Sequence, residues 1–495
     1  MIFDEFRILR HAVTFFAATF VIVSCSKNDP SPEQKTEGVK FMVLSDLHYM
    51  HPDILVKEGK AFDEYNAEEC KLLRESGAIL DAAVERIREQ RPEFVIVCGD
   101  MSKDGEVICH EHVAEVFRKL EAETSTKVLV VPGNHDMNNP HSMYYNGDKT
   151  TPAVSANEAK FAEIYASSGY DLAVERRGTS LDYMAYPAEG IAFIGVDSNE
   201  KNTPEKLMVQ GGLSGEQVNW ITSMAQKAHG EGRYVIMCMH HNLLDFYDNA
   251  QLIRGANIAN ARYDYDNDAL VDDISKAGID VVFSGHSHMH SITYVNKGSR
   301  PIYSVVTSSL VNLPLAYRIG YIEKNGRMSL FSGDLKYCKV PGCEDLCAEG
   351  DKYWQDLSAF YMKEAADKAW DAAGAILKIA LDFKDKEALH SFLKERAEKV
   401  FYTFLVRTSD GNEHLHSPKA NYLEAEKAIK GLVDFFDEKG IKNILEAALQ
   451  LIFGKGLDDV SAMFYDFFRS AYFNYLGDGP VCRDDIAVIQ LTSVQ

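Results

Sequence analysis

Between Phe41 and Ser284, short apolar runs alternate with helix-patterned stretches, and no other feature restricts the possible folds of this chain so strongly. Runs at Phe41–Leu44, Phe94–Val97, Val128–Val131, Ile191–Val196, Tyr234–Met239 and Val281–Phe283 are too short for helices and rich in β-branched residues, so they read as buried strands. Between them, Leu73, Leu80, Val84 and Ile87 fall on one helical face, as do Val113, Val116, Phe117 and Leu120. Ser214 with Gln217 forms a capping box, and Gly278 suits a helix C-terminus before the next strand. Strands separated by helices need crossover connections, which gives an α/β class with largely parallel pairing.

Beyond that segment, Ile302–Thr307 and Tyr317–Ile322 read as further sheet. A loop with Cys338, Cys343 and Cys347 follows, and long helical stretches then dominate: Leu357–Phe383, Ala388–Val406, Tyr422–Phe436 and Asn443–Phe453. Tyr422, Ala425, Ile429, Leu432 and Phe436 recur at helical spacing, as a core face does. Residues 350–495 are therefore expected to form a helical C-terminal region. Cys98, Cys109 and Cys238 lie in or near apolar runs and read as core thiols. The three clustered cysteines could form disulfides in an exported protein, and they lack the second ligand pair that a zinc site requires.

At the N-terminus, Arg7 and Arg10 precede an apolar run from Ala12 to Val23, which is too short to span a bilayer. Ile22-Val23-Ser24-Cys25 looks like a bacterial lipobox, so residues 1–25 read as a lipoprotein signal peptide and Cys25 as the lipidation site. Residues 26–39 read as a flexible tether. The expected location is outside the cytoplasm, lipid-anchored to a bacterial membrane facing the periplasm or the cell surface. A formal charge of -22 and a pI near 5.2 argue against general nucleic-acid binding, because phosphates would be repelled over most of the surface. A small anionic substrate remains compatible where bound cations dominate the local field.

Five polar clusters each follow a predicted strand: Asp46-Leu47-His48, Gly99-Asp100, Gly133-Asn134-His135-Asp136, His240-His241 and Gly285-His286-Ser287-His288. Strand carboxyl ends gather on one edge of an α/β sheet, so these turns are expected to converge. Asp and His supply hard oxygen and borderline nitrogen donors without thiolates, which suits manganese, iron or zinc. Asp100 is the natural carboxylate to bridge two ions. Such a pair, about 3.5 to 4 Å apart, lowers the pKa of a bridging water and neutralises a phosphoryl transition state. Taken singly, each residue has a plainer structural reading, and for His110, His112, His290 and Asp197 that reading is preferred.

In order and spelling the five clusters resemble the calcineurin-like metallophosphoesterase family, over roughly Lys40 to Leu330, within a domain expected to span residues 40–335. The resemblance implies a four-layer α/β/β/α sandwich. It implies one metal held by Asp46, His48, Asp100 and His288, and a second held by Asp100, Asn134, His240 and His286, with His241 the alternative to His240. It gives His135 a role towards the substrate, as proton donor or phosphoryl stabiliser, and Asp136 the role of orienting His135. The partner implied is a small phosphorylated substrate, cleaved as a phosphodiester or phosphomonoester. Gly99-Asp100-Met101-Ser102-Lys103-Asp104-Gly105 lacks the Asp-Arg-Gly run usual in protein phosphatases and looks more like exported and cyclic-nucleotide-type phosphodiesterases. A non-catalytic surface lipoprotein that binds phosphate or metal is the alternative, set against the intact ligands and His135.

Overall fold

The computed structural model describes residues 38–69, 71–203, 206–244, 267–298, 300–353 and 486–492, with scattered positions at 355–395 and the pair 482–483. In chain order the elements begin with β1 (Gly38–Leu44), β2 (Leu55–Lys57), α1 (Lys60–Glu69), α2 (Ser76–Gln90), β3 (Phe94–Val97), α3 (Val107–Thr124) and β4 (Lys127–Val130). There follow β5 (Met143–Asn146), β6 (Lys149–Pro152), α4 (Glu158–Ile164), β7 (Ala173–Arg176), β8 (Tyr183–Ala185) and β9 (Ile191–Val196). Next come α5 (Gly215–Gly230), β10 (Tyr234–Met239), α6 (Asn267–Lys276), β11 (Val281–Ser284), β12 (Ser291–Lys297), β13 (Arg300–Val306), β14 (Ala316–Glu323) and β15 (Arg327–Asp334). The last are β16 (Cys482–Arg483) and β17 (Ile486–Gln490).

Two seven-stranded sheets carry the fold, ordered β16-β17-β15-β14-β1-β3-β4 and β12-β13-β11-β10-β9-β8-β7. The pairings β1·β3, β3·β4, β9·β10, β10·β11 and β11·β13 are parallel, and antiparallel strands extend both sheets outward. Strand alternation sorts the side chains into layers. On β10, Ile236 and Cys238 join the core between the sheets, with Phe41 and Phe283, whereas Val235, Met237 and Met239 face α5 and α6 through Val218, Ile221, Leu270 and Ile274. Phe41 and Phe283 meet edge to face at 5.7 Å across that interface. On the other flank α2 buries Ile79, Leu80, Val84 and Ile87, and α3 buries Val113, Phe117 and Leu120. This is the mixed α/β architecture expected from the alternation.

Three sequence-level signals reappear as geometry. Ser214 and Gln217 form a reciprocal capping box on α5. Gly278 adopts φ +84° just after α6. Cys98, Cys109 and Cys238 are buried thiols, and Cys338 and Cys343 in the later loop are also free.

The end of the chain, expected to be mostly helical, also supplies a strand. β17 pairs antiparallel with β15, and Ala487, Ile489 and Leu491 are buried in the main core. Thr492 then bonds Asp280 through both its hydroxyl and its backbone N–H. Residues 486–490 thus belong to the first sheet. Periodicity within five residues cannot announce such a pairing, because the partner strand lies about 150 residues earlier. The signal segment, Cys25 and the tether up to residue 37 lie outside the described residues, as do the helical faces at Tyr422–Phe436 and Asn443–Phe453. Among the described residues no helix is long and apolar enough to cross a membrane.

Candidate metal centre

The five clusters follow β1, β3, β4, β10 and β11, and all five strands are in the parallel core of one sheet or the other. Their carboxyl ends therefore open on the same side, with three ligand-bearing turns from the first sheet and two from the second. Asp46, His48, Asp100, His286 and His288 all sit in the left-handed region, with φ between 37° and 64°. Non-glycine residues adopt that conformation at a cost, and a cluster of them marks a site whose side-chain directions are fixed by the surrounding fold. Backbone bonds hold the turns together: Asp46 N–H donates to Gly99 O and His48 N–H to Asp100 O.

Two glycines are required by close approach. A Cβ on Gly133 would fall inside van der Waals contact of the Asp100 carboxylate, and one on Gly285 would meet the Asp46 carboxylate and Ser45 Oγ. Both turns must lack a side chain for the carboxylates to occupy their places.

The first predicted ligand set comes together as a group. Asp46, His48, Asp100 and His288 each offer a ligand atom, and these atoms lie within 4.8 Å of one another. His48 Nε2 and His288 Nε2 are 3.1 Å apart, with His288 Nε2 at 3.3 Å from Asp46 Oδ1. In the second set, Asn134 Oδ1 lies 3.0 Å from both His240 Nε2 and His286 Nδ1. Asp100 Oδ2 stands between the sets, 3.6 Å from His48 Nε2 and 3.3 Å from His240 Nε2. Two donor sets of oxygen and imidazole that share one carboxylate have the chemistry to hold metal cations.

The histidine tautomers suit that use. His240 Nδ1 donates to Cys98 O at 2.7 Å, which turns Nε2 towards Asn134 Oδ1 and Asp100 Oδ2. Burial lowers the His48 pKa well below its usual value, and the Lys71 ammonium adds to the effect. Burial likewise lowers His286, helped by His240. These rings are neutral, as ligands must be. His240 is different: burial opposes its charge, but the Asp100 carboxylate overrides burial and raises its pKa. His241 lies beside His286, ring centroids 4.3 Å apart, yet its Nδ1 pairs with Ser198 Oγ at 2.9 Å. A Cβ on Gly211 would collide with its ring.

His135 lies beside His48, ring centroids 4.9 Å apart, and is almost fully buried. The expectation that Asp136 orients it is corrected. His135 Nδ1 bonds Asp104 Oδ1 at 2.8 Å, while Asp136 accepts from the backbone of Gly133 and Ser102 and so braces the loop. Asp104 is itself held by Tyr65 Oη at 2.7 Å, by Asn139 Nδ2 and by the buried Lys103 ammonium, which also pairs with Glu106. The sequence signal for this partner is a second carboxylate four residues after Asp100, whereas the family resemblance gives the role to Asp136. Asp136 cannot turn back on its neighbour because its oxygens are already engaged. For His135, burial and Lys71 oppose protonation, and Asp100 and Asp104 outweigh them, raising its pKa. His110 has a structural place: its ring bonds Tyr165 Oη and the Asp136 carbonyl.

The family model described as calcineurin-like phosphoesterase matches residues 39–290, just over half of the chain. Among solved structures, the chain is similar to a dimetal phosphatase from Danio rerio at 14% identity, covering 60% of this chain and 96% of that one with a TM-score of 0.40. It is also similar to a purple acid phosphatase from yellow lupin, Lupinus luteus, at 12% identity, covering 62% of this chain and 53% of that one with a TM-score of 0.34. A third is a sulfate thiohydrolase, SoxB, from Thermus thermophilus, at 15% identity over 64% of this chain and 60% of that one with a TM-score of 0.32.

Proposed function

Since the chain belongs to the calcineurin-like phosphoesterase family, we propose that it hydrolyses small phosphate esters at a two-metal centre. One metal would be held by Asp46, His48, Asp100 and His288, the other by Asp100, Asn134, His240 and His286. Metal ions held there supply Lewis acidity towards phosphoryl oxygens and a water of lowered pKa. Manganese, iron or zinc matches the oxygen and imidazole donor set. The observation that carries this reading is the position of Asp100, whose Oδ2 reaches donors of both sets within 3.6 Å.

The chain's own groups divide the remaining work. His135, fixed through Nδ1 by Asp104, would donate a proton from Nε2 to the departing alkoxide. Asp104 is a positioning residue that keeps this tautomer and stabilises the imidazolium. Asn202 ties the loop after β9 to the ligand turn, donating to the Asn134 and Met137 carbonyls at 2.9 and 2.8 Å. That strap places Asn202 beside the ligand turn, where it would border a bound substrate.

Export and lipid anchoring at Cys25 complete the proposal, supported by Arg7, Arg10, the apolar run and the lipobox spelling. Replacing Cys25 by Ala should move the protein from the membrane fraction to the soluble one.

Turnover is tested with nitrophenyl phosphate and its methyl diester, on protein lacking residues 1–25 and loaded with manganese or zinc. Release of nitrophenol that follows metal content supports the proposal. Full metal loading with no hydrolysis of either ester would leave a binding protein instead.

A further inference from the structure

The turn after β4, from Pro132 to Met137, carries both Asn134 and His135, and every residue in it is buried. Buried carbonyls need donors, so the shape of the turn depends on where its carbonyls find them. Three are met from the first-sheet side: Gly133 O accepts from Asp136 N–H, His135 O from Asn139 Nδ2, and Asp136 O from the His110 ring. The other three are met by two side-chain amides that follow β9. Asn199 Nδ2 donates to Pro132 O at 3.1 Å, and Asn202 Nδ2 donates to Asn134 O and Met137 O at 2.9 and 2.8 Å. Both amides are themselves fixed, since Asn199 Nδ2 also donates to Asp197 Oδ1 at 2.8 Å and Asn202 Oδ1 accepts from Met208 N–H at 2.6 Å. The same stretch of chain grips the turn after β10. Ser198 Oγ accepts from His241 N–H at 3.3 Å and pairs with His241 Nδ1 at 2.9 Å, and Gly212 N–H donates to Ser198 O. Residues 198–202 thus bond the turn of Asn134 in the first sheet and the turn of His240 in the second, whose Oδ1 and Nε2 lie 3.0 Å apart.

We propose that Asn202, assisted by Asn199, is a positioning residue for the second metal: it clamps the β4 turn so that Asn134 Oδ1 stays beside His240 Nε2. The inference rests on the two-metal reading above. Asn134 offers a neutral amide oxygen, which a cation attracts less strongly than a carboxylate, so the fold must hold it in place. Without Asn202, the Asn134 and Met137 carbonyls would be buried without a partner, and the turn would shift to find one. An arriving ion would then have to re-order the turn, at a cost in affinity. Asp46, His48 and His288 come from the turns after β1 and β11, so the first metal is spared.

The test strips the full chain of metal and titrates it with manganese by calorimetry, for the parent, Asn202→Ala and Asn199→Ala. Removing an outer partner of a metal ligand weakens binding by about 10- to 100-fold. Asn202→Ala should therefore bind one ion within about 3-fold of the parent and the second roughly 10- to 100-fold more weakly. Asn199→Ala loses a single bond to the turn and should weaken the second ion in the same direction, by less. A general loosening of the fold would instead weaken both ions together. Equal weakening of both, or an unchanged second ion, overturns the proposal, and Asn199→Ala decides by the same criterion if Asn202→Ala fails to fold. A parent that takes up fewer than two ions defeats the two-metal reading and this role with it. A parent that takes up two, with no selective loss in the variants, overturns this role alone.

Discussion

His135 Nδ1 and Asp104 Oδ1 lie 2.8 Å apart, and this bond, rather than one to the adjacent Asp136, sets the orientation of the imidazole that faces the ligand cluster. Asp104→Asn should therefore retain metal and lower kcat, most for substrates with poor leaving groups. General acid assistance is worth about 10²- to 10⁴-fold, so His135→Ala sets the upper limit and Asp104→Asn falls within it. Steady-state rates across a series of phenyl esters check this. Equal slowing for good and poor leaving groups would remove the acid role. Asp136→Asn should instead lower thermal stability, with little effect on leaving-group dependence.

Asp100→Asn should remove metal from both positions while the protein stays folded, because its Oδ2 is shared between the two donor sets. Elemental analysis together with circular dichroism of the same sample reads both quantities. Retained metal at either position would contradict the bridging assignment.

Gly285→Ala should cost metal before it costs fold, since the added methyl displaces the Asp46 carboxylate and Ser45 while β11 and its core neighbours are untouched. A variant with unaltered metal affinity would show that the turn can yield without moving Asp46.

Metal uptake should release protons. Asp100 raises the pKa of His240 in the metal-free protein, so a cation binding at Nε2 displaces a proton that His240 holds above its ordinary range. Affinity should thus rise with pH through that range and fall on acidification, by about tenfold per pH unit for one proton. Calorimetry in buffers of different ionisation enthalpy measures the proton count, and a count of zero would contradict the prediction.

The returning strand gives a stability prediction. Ile489 is fully buried on β17, so Ile489→Ala should cost about 2–5 kcal/mol, as large-to-small changes in packed cores do. A thermal or denaturant midpoint unchanged by Ile489→Ala would mean that β17 is not part of the cooperative core.

Much of this architecture was legible because its signals are local. Phe94–Val97, Ile191–Val196 and Tyr234–Met239 are read from apolar runs alone with the same bounds as β3, β9 and β10. The ligand turns announce themselves through glycines that leave room for the carboxylates. Partnerships decided by packing were not legible. Asp104 is held where it meets His135 by Tyr65, which α1 brings from a distant part of the chain, and by the neighbouring Lys103. β17 was invisible for the same reason, since its partner is distant in the chain.

The most direct test of the account is a titration of metal-free protein with manganese, following nitrophenol release and bound metal on the same samples. The account predicts hydrolysis that rises with loading and levels off at two ions per chain, with Asp100→Asn binding neither. A plateau at one ion, or full loading without hydrolysis, would contradict it.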